Sequence, residues 1–264
     1  TGSPLLTLPN VVVTPHLGAS TAEAQDKAGV TIAEQTLLAF SGDFVPFAVN
    51  VNAGEASTGV KPFLSIAESL GRFLASLTGG LPERLEIEYQ GAIADEDTRI
   101  LSLSVLKGVF AAGTNEPVSY VNAPQLANER GLELTESTSA TQRSPFISLI
   151  TLRSDLHSVS GTLTGTTSEP RIVEVDGHGV EIPPSPYMLV VRNDDQPGKI
   201  GTVGTILGEA GVSISSMGVS PASTGGTALM ILAVGSPIGP DVLRRIEEAD
   251  GIIYAKATTC VESA

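Results

Sequence analysis

The sequence predicts a protein of mixed α/β and α+β class, built from three successive parts. A β-branched run followed by one capped helix occupies residues 1–53, alternating helices and strands fill 54–184, and a β-α-β-β-α-β order fills 185–264. The length of 264 residues suits two or three small domains, so each part has the size of a domain or of the end of one.

The composition argues against several classes of function. The 15 basic and 29 acidic side chains give a net charge of −14, which repels nucleic acid and anionic membrane surfaces, and we expect neither as a partner. A single cysteine, Cys260, cannot form an internal disulfide or hold an iron–sulfur cluster, so we expect a small buried side chain there and no metal site. The sequence has neither a long apolar run nor a signal-peptide start, which predicts a cytoplasmic protein.

The first part is predicted to contain one strand and one helix. The apolar run at 10–14 is typical of a buried strand, and Pro15 ends it. Ser20 is predicted to cap a helix over 21–41, with Glu23 completing a capping box. Because one strand and one helix cannot bury their own apolar faces, we interpret this part as the end of an α/β domain that begins upstream.

The middle part is predicted to be an α+β domain. Leu85, Ile87 and Tyr89 alternate with charged residues, which indicates a strand with one buried face. Apolar patterns predict helices at 61–77, 101–112 and 123–129, and strands at 83–89, 145–152, 156–164 and 171–176. Ser/Thr-rich stretches at 135–141 and 164–168 are interpreted as loops.

The last part has the clearest pattern. A helix is predicted to begin with Pro197 in its first turn and to end at Gly211. Apolar runs predict a second helix at 241–249 and strands at 187–192, 212–219, 227–234 and 251–259. The resulting β-α-β-β-α-β order is that of the ferredoxin-like fold.

His16 is the residue with the strongest local case for chemistry. It follows the predicted strand and precedes the predicted helix, and loops at this edge of an open α/β sheet commonly form binding sites. An imidazole exchanges protons near neutral pH, which general acid–base catalysis requires. On the local pattern alone, an ordinary loop histidine is the alternative interpretation.

Residues 8–21, which read LPNVVVTPHLGAST, resemble the histidine motif of the D-isomer-specific 2-hydroxyacid dehydrogenases. Long-form members of that family continue into an intervening α+β domain and a C-terminal ACT domain, an order that matches the three parts above. The resemblance therefore implies the C-terminal half of such an enzyme. Residues 1–53 would be the tail of a Rossmann-type NAD-binding domain and a hinge, 54–184 the intervening domain, which binds allosteric ligands in relatives, and 185–264 the ACT domain.

The resemblance implies a role for the motif and a cofactor. His16 would take the proton from the substrate C2 hydroxyl while hydride passes to NAD, and His16, Leu17, Gly18 and Ala19 would lie beside the nicotinamide. The implied reaction is the oxidation of 3-phosphoglycerate in L-serine biosynthesis, carried out by a homotetramer. In family members the carboxylate partner of the histidine, the substrate-binding arginine and the G-x-G-x-x-G loop precede this motif. We therefore expect this chain alone to be inactive.

The resemblance also implies two effector sites. L-serine would bind at an ACT–ACT interface, at the residues Asn193, Asp195, Pro197, Gly198 and Ser213. Two of these depart from the family, which usually has His or Tyr in place of Asn193 and Asn in place of Ser213. An anionic effector would bind the intervening domain at Arg171 and His178, with Lys107, Arg153 and His157 as further basic candidates.

Two alternatives bear on these interpretations. Gly198, Gly201 and Gly204 form a G-x-x-G-x-x-G run, which is not the dinucleotide fingerprint and which we interpret as a close-packing helix face. A non-catalytic, ACT-type amino-acid sensor would not need the motif at 8–21, so that motif favours the dehydrogenase. An iron–sulfur L-serine dehydratase would need several cysteines, and the chain has one.

Overall fold

A computed structural model describes residues 2–49, 53, 56–114, 116–141, 145–221 and 226–261. The helices are α1 (Ala22–Phe40), α2 (Leu64–Thr78), α3 (Arg99–Gly113), α4 (Ala123–Glu129), α5 (Lys199–Glu209) and α6 (Pro240–Glu247). The strands are β1 (Arg84–Gly91), β2 (Glu133–Ser139), β3 (Ser148–Arg153), β4 (Ser158–Thr164), β5 (Glu169–Val175), β6 (His178–Ile182), β7 (Met188–Asn193), β8 (Ile214–Ser220), β9 (Ala228–Val234) and β10 (Ile252–Thr258). Among these helices, none is long and apolar enough to cross a membrane.

The middle part folds around a six-stranded sheet in the order β2-β1-β3-β4-β5-β6. Only the β1–β2 pair is parallel. As the alternation predicted, Leu85, Ile87 and Tyr89 of β1 are buried, and they join Phe73 of α2 and Phe110 of α3 in the core. The predicted α+β character is confirmed, and the sheet supports a tightly packed α2–α3 pair.

Two glycines let α2 and α3 approach each other closely. A Cβ atom built on Gly71 would overlap the backbone carbonyl of Val105, and one built on Gly108 would overlap the backbone carbonyl of Glu68. At both positions the obstacle is backbone of the facing helix, which cannot move aside as a side-chain end can. Glycine is therefore required at this crossing.

The last part is a four-stranded antiparallel sheet in the order β10-β7-β9-β8, which confirms the ferredoxin-like arrangement. One face packs on α5 and α6 through a core that includes Leu189, Leu207 and Ile246. Residues of the other face, among them Val190 and Ile231, belong to the same core as the middle part. The second and third parts are thus joined by continuous apolar packing.

The first part differs from its prediction in two ways. Residues 10–14 form no strand, and within the described chain no other strand lies beside them to supply hydrogen-bond partners. The N-cap of α1 is Thr21 and not Ser20, because the Thr21 hydroxyl accepts from the Ala24 amide at 3.2 Å. Helix α1 itself forms as predicted, although none of its residues is buried.

Several local predictions for the other two parts are also corrected. The stretch interpreted as a loop at 135–141 lies mostly in β2, an exposed edge strand whose Ser and Thr side chains suit solvent. Strand β6 was not predicted at all. Pro197 precedes α5 instead of lying in its first turn, since the helix begins at Lys199.

The interpretation of the glycine run on α5 is wrong for this chain. A Cβ atom on Gly201 or Gly204 would meet no other atom within 4 Å, so no close packing requires glycine there. Gly198 has φ of 98°, a left-handed conformation that glycine adopts freely. The backbone conformation therefore explains why this position is glycine.

Cys260 is buried as predicted, with 1% of its surface exposed. Its thiol lies 3.2 Å from the Met188 sulfur, within the core that the second and third parts share. Burial raises the pKa of the Cys260 thiol well above its ordinary value. This effect outweighs those of a backbone hydrogen bond and of the Arg72 charge, both of which lower the pKa. The thiol is therefore protonated at neutral pH, in keeping with a packing role.

Candidate functional site

The His16 motif lies on an open surface directly before α1. His16, Leu17, Gly18 and Ala19 are all exposed, and the Ser20 amide closes a turn by donating to the Leu17 carbonyl at 3.1 Å. A Cβ atom on Gly18 would meet nothing within 4 Å, so there is room for a ligand against the backbone. The open space at these four residues is compatible with a bound cofactor such as NAD, which would contact this chain along one side only.

Helix α1, which follows the motif, exposes a set of large apolar side chains. Val30, Ile32, Leu37 and Phe40 are each at least 60% exposed. Apolar side chains at this density on a helix indicate a contact surface, because single-domain surfaces seldom leave such a set uncovered. The motif and the helix that follows it are thus both exposed to solvent in this chain.

A second candidate site is a cavity of about 290 Å³ at the turn between β7 and α5. It brings together four of the predicted serine-binding residues, Asn193, Asp195, Pro197 and Gly198, with Val219 of β8 as an additional wall. Asn193 is buried, and its amide oxygen accepts from the Asp195 backbone at 3.0 Å. Asn193 therefore shapes the turn, while the exposed Asp195 carboxylate is available to a cationic group.

Ser213 is the predicted serine-binding residue that does not line this cavity. It lies just before β8, next to Gly235, whose amide donates to the Ser213 carbonyl at 2.9 Å. The antiparallel register pairs Ile214 with Val234 at that end and Ser220 with Leu229 at the other. Within one chain, Ser213 is at the opposite end of the sheet from the turn cavity.

The two residues predicted to bind an anionic effector are also apart. His178 is buried and pairs with Val175 at the turn end of the β5–β6 hairpin. Arg171 lies towards the far end of β5, where its guanidinium forms an ion pair with Glu169 at 2.5 Å. Within one chain, a single small anion cannot bridge Arg171 and His178.

His157, one of the basic candidates named from the sequence, pairs with Asp176 between the second and third parts, a pairing that the sequence pattern did not reveal. The His157 Nδ1 atom is 2.9 Å from the Asp176 carboxylate, and the Ser158 amide donates to the same carboxylate at 2.9 Å. The His157 ring also packs edge-on against Tyr254 of β10, with 6.5 Å between centroids. These contacts link β4 and β5 to the sheet of the last part.

The environment of this His157–Asp176 cluster shifts the pKa of two side chains, Asp176 and Tyr254. Burial alone would raise the pKa of the Asp176 carboxyl, but the hydrogen bonds from His157 and Ser158, together with the charges of His157 and Arg192, hold it below its ordinary value. Burial raises the pKa of Tyr254 to about 12, and the Asp176 charge adds to that effect while Arg192 opposes it. Asp176 is therefore ionised at neutral pH.

Replacing Asp176 with Asn is expected to lower the free energy of unfolding at pH 7 by about 1–3 kcal/mol, because hydrogen bonds to a charged group are lost. A carboxyl whose pKa is lower in the folded state stabilises fully above its ordinary pKa of 3.8 and loses that contribution as the pH falls through its folded value. Urea unfolding should therefore show a wild-type advantage at pH 7 that shrinks below about pH 4.

Asp155→Asn, in an exposed turn nearby, is the matched control and should change stability by less than about 0.5 kcal/mol. Equal stability of the wild type and Asp176→Asn at pH 7 would contradict this assignment.

Comparison with known families agrees with this architecture. Residues 59–176 match the D-3-phosphoglycerate dehydrogenase intervening domain, and residues 187–251 match the ACT domain. The chain therefore carries a phosphoglycerate dehydrogenase intervening domain followed by an ACT domain, in the order that the sequence predicted.

The similar curated proteins bear the name of one enzyme. The chain is 41% identical over 253 residues to D-3-phosphoglycerate dehydrogenase of Mycobacterium leprae, which covers 94% of this chain and 48% of that protein. It is 34% identical over 252 residues to D-3-phosphoglycerate dehydrogenase of Methanocaldococcus jannaschii, covering 95% of this chain and 48% of that protein. The chain thus spans about half the length of the curated relatives it matches.

Proposed function

We propose that this chain is the C-terminal portion of an NAD-dependent D-3-phosphoglycerate dehydrogenase, which oxidises 3-phosphoglycerate to 3-phosphohydroxypyruvate on the route to L-serine. The observation that carries the proposal is the His16 motif on an open surface, joined in one chain to an intervening and an ACT domain. The names of the relatives support the same reaction.

In the proposed step, the His16 imidazole accepts the proton of the substrate C2 hydroxyl. A bound NAD would supply the acceptor for the C2 hydride, so that loss of the proton to His16 and of the hydride to the cofactor together would convert the alcohol into a ketone. Leu17, Gly18 and Ala19 would border the nicotinamide, and the open space at Gly18 is compatible with that approach. NAD supplies the hydride acceptor, and the residues of this chain supply the acid/base and part of the binding surface.

The exposed apolar side chains of α1 fit the same proposal. Relatives are about twice as long as this chain, so they contain further residues able to cover Val30, Ile32, Leu37 and Phe40. We propose that the nucleotide-binding part of the enzyme packs around α1 and also encloses His16. The proposal is tested by measuring NADH formation from 3-phosphoglycerate in the complete protein, with His16 intact and with His16→Asn.

For regulation, we propose that two copies of the chain pair through β8. This strand is an edge of its sheet, and Ile214, Met217 and Val219 on it are each about 40% exposed. A two-fold, antiparallel pairing would place the Ser213 end of one copy beside the Val219 end of its partner. Ser213 would then reach the partner's turn cavity, which it does not reach within its own chain.

L-serine is expected to raise the Tm of the chain by binding at this paired site, with its ammonium group on Asp195. A ligand at 100 times its Kd adds about 2.7 kcal/mol of stability. Asp195→Asn should abolish the thermal shift, whereas Asp241→Asn, at an exposed position on α6, should keep it. The measurement is a thermal-shift titration with L-serine.

No shift of the wild type at millimolar L-serine would count against serine control. Serine binding in a complete protein that forms no NADH from 3-phosphoglycerate would instead identify a non-catalytic amino-acid sensor. Arg171 stays a proposed contact for an anionic effector, and His178 would have to act separately from it.

A further inference from the structure

Lys199, the first residue of α5, occupies a position that the helix alone does not favour. The amino end of a helix carries a partial positive charge, so a cation there is normally destabilising. The Lys199 side chain is nonetheless only 11% exposed, and a lysine is rarely buried to this extent unless its charge is paired. The contacts of its ammonium group must therefore explain why a lysine stands here.

The Lys199 ammonium joins two turns of the last part. It donates to the backbone carbonyl of Asp250 at 2.6 Å, in the turn between α6 and β10. The same nitrogen lies 3.4 Å from a carboxylate oxygen of Asp194, in the turn between β7 and α5, and 3.4 Å from one of Asp250. The Asp194 amide donates in turn to the Gly251 carbonyl at 2.9 Å. Lys199 thus supplies a positive charge that holds two acidic turns together.

Glycine at position 251 leaves the space that the lysine occupies. A Cβ atom built on Gly251 would overlap both the Lys199 ammonium and the Asp194 carboxylate. Gly251 also has φ of 72°, a left-handed conformation that glycine adopts freely. The three residues are therefore closely packed, unlike the loosely held ion pairs of an open surface.

This packed junction lies directly beside the proposed serine-binding turn. Asp194 precedes Asp195, which has φ of 55°, a conformation that residues with a Cβ adopt rarely and that surrounding contacts must maintain. The Asp195 amide donates to the Asn193 side chain at 3.0 Å, and the Gln196 amide donates to the Asp194 carboxylate at 3.3 Å. Asp194 therefore connects Lys199 to the backbone on both sides of Asp195.

We propose that Lys199 is a positioning residue for the serine-binding turn. Its contacts with Asp194 and Asp250 hold the turn in the conformation in which Asp195 lines the cavity. The inference rests on the proposed L-serine site and adds a residue that acts on it through Asp194. A turn that is ordered before the ligand arrives binds more tightly, because the apparent Kd rises as the population of the binding-competent conformation falls.

The test compares Lys199→Met with Lys256→Met in the full chain. Lys256 on β10 is the matched control, because it also donates to a backbone carbonyl, that of Leu77 at 2.7 Å, but outside the turn. Lys199→Met is expected to raise the calorimetric Kd for L-serine about tenfold, as for a turn that is ordered in roughly one-tenth of the molecules. Lys256→Met should keep the wild-type Kd. Asp250→Asn should keep it too, since Asn retains the carbonyl that accepts from Lys199.

Hydrogen exchange of the Asp194 amide tests the same inference without a ligand. Its proton should exchange about tenfold faster in Lys199→Met, because the hydrogen bond to the Gly251 carbonyl opens more often, and at the wild-type rate in Lys256→Met. Lys199→Gln provides the same test if Lys199→Met fails to fold.

The two measurements separate the role of Lys199 from the serine site itself. A wild type that does not bind L-serine, together with faster exchange in Lys199→Met alone, would refute the serine site and support the ordering of the turn by Lys199. The proposal is overturned if Lys199→Met binds L-serine as tightly as a wild type that binds it. It is also overturned if the Asp194 amide exchanges equally fast in Lys199→Met and Lys256→Met.

Discussion

Replacing His16 with Asn in the complete protein is expected to lower kcat for NADH formation from 3-phosphoglycerate by about 10²- to 10⁴-fold. Asn has a similar size and can still hydrogen-bond to the C2 hydroxyl, but it cannot accept the proton. The exposed position of His16 before α1 leaves the fold of this chain little dependent on its side chain. The loss should therefore come from chemistry and not from unfolding.

Chemical rescue distinguishes an acid/base role of His16 from a role in binding or local structure. Added imidazole should restore part of the activity of His16→Asn, and the affinity for NAD should be nearly unchanged, since Leu17, Gly18 and Ala19 are not altered. Activity close to wild type in His16→Asn, without imidazole, would contradict the assignment of His16 as the acid/base.

Replacing Gly108 with Ala is expected to lower the free energy of unfolding by about 2–4 kcal/mol. The added Cβ would overlap the Glu68 carbonyl and approach the Arg72 amide, so α2 and α3 must move apart. This separation disturbs the core residues packed between the helices and the sheet, such as Phe73 and Phe110. The cost exceeds the gain in helix propensity that Ala normally brings.

Gly204→Ala is the matched control on α5, where a new Cβ meets no atom within 4 Å. There the same substitution should raise stability by about 0.5–1 kcal/mol through helix propensity alone. Urea unfolding of both variants measures the contrast. A Gly108→Ala variant as stable as Gly204→Ala would show that the helices do not meet as closely as described.

The sequence predicted the fold well wherever periodic apolar residues face a core. The strand alternation of Leu85, Ile87 and Tyr89 and the order of the last part are confirmed because burial imposes those periods. Strand β2 was missed because an exposed edge strand has no apolar face to mark it. The run at 10–14 has strand composition but no partner in the described chain, so composition alone was misleading.

The candidate sites were predictable only where their residues are close in sequence. The turn cavity unites Asn193, Asp195, Pro197 and Gly198, which lie within one loop. The His157–Asp176 pair and the Arg72–Glu68–Lys107 group each join different elements, and their pairing depends on tertiary packing. The spacing of Glu68 and Arg72, four residues apart on one helix, is compatible with an ion pair. The sequence gives no comparable indication that Lys107, on a different helix, joins them.

The most direct test is a single-turnover experiment on the complete protein, with enzyme in excess over 3-phosphoglycerate and saturating NAD. Absorbance of the reduced nicotinamide reports hydride transfer without interference from product release. We predict a rapid burst of NADH with the wild type, while His16→Asn yields essentially none over the same period. Equal rates of NADH formation in the two proteins would contradict the assignment of His16 as the proton acceptor.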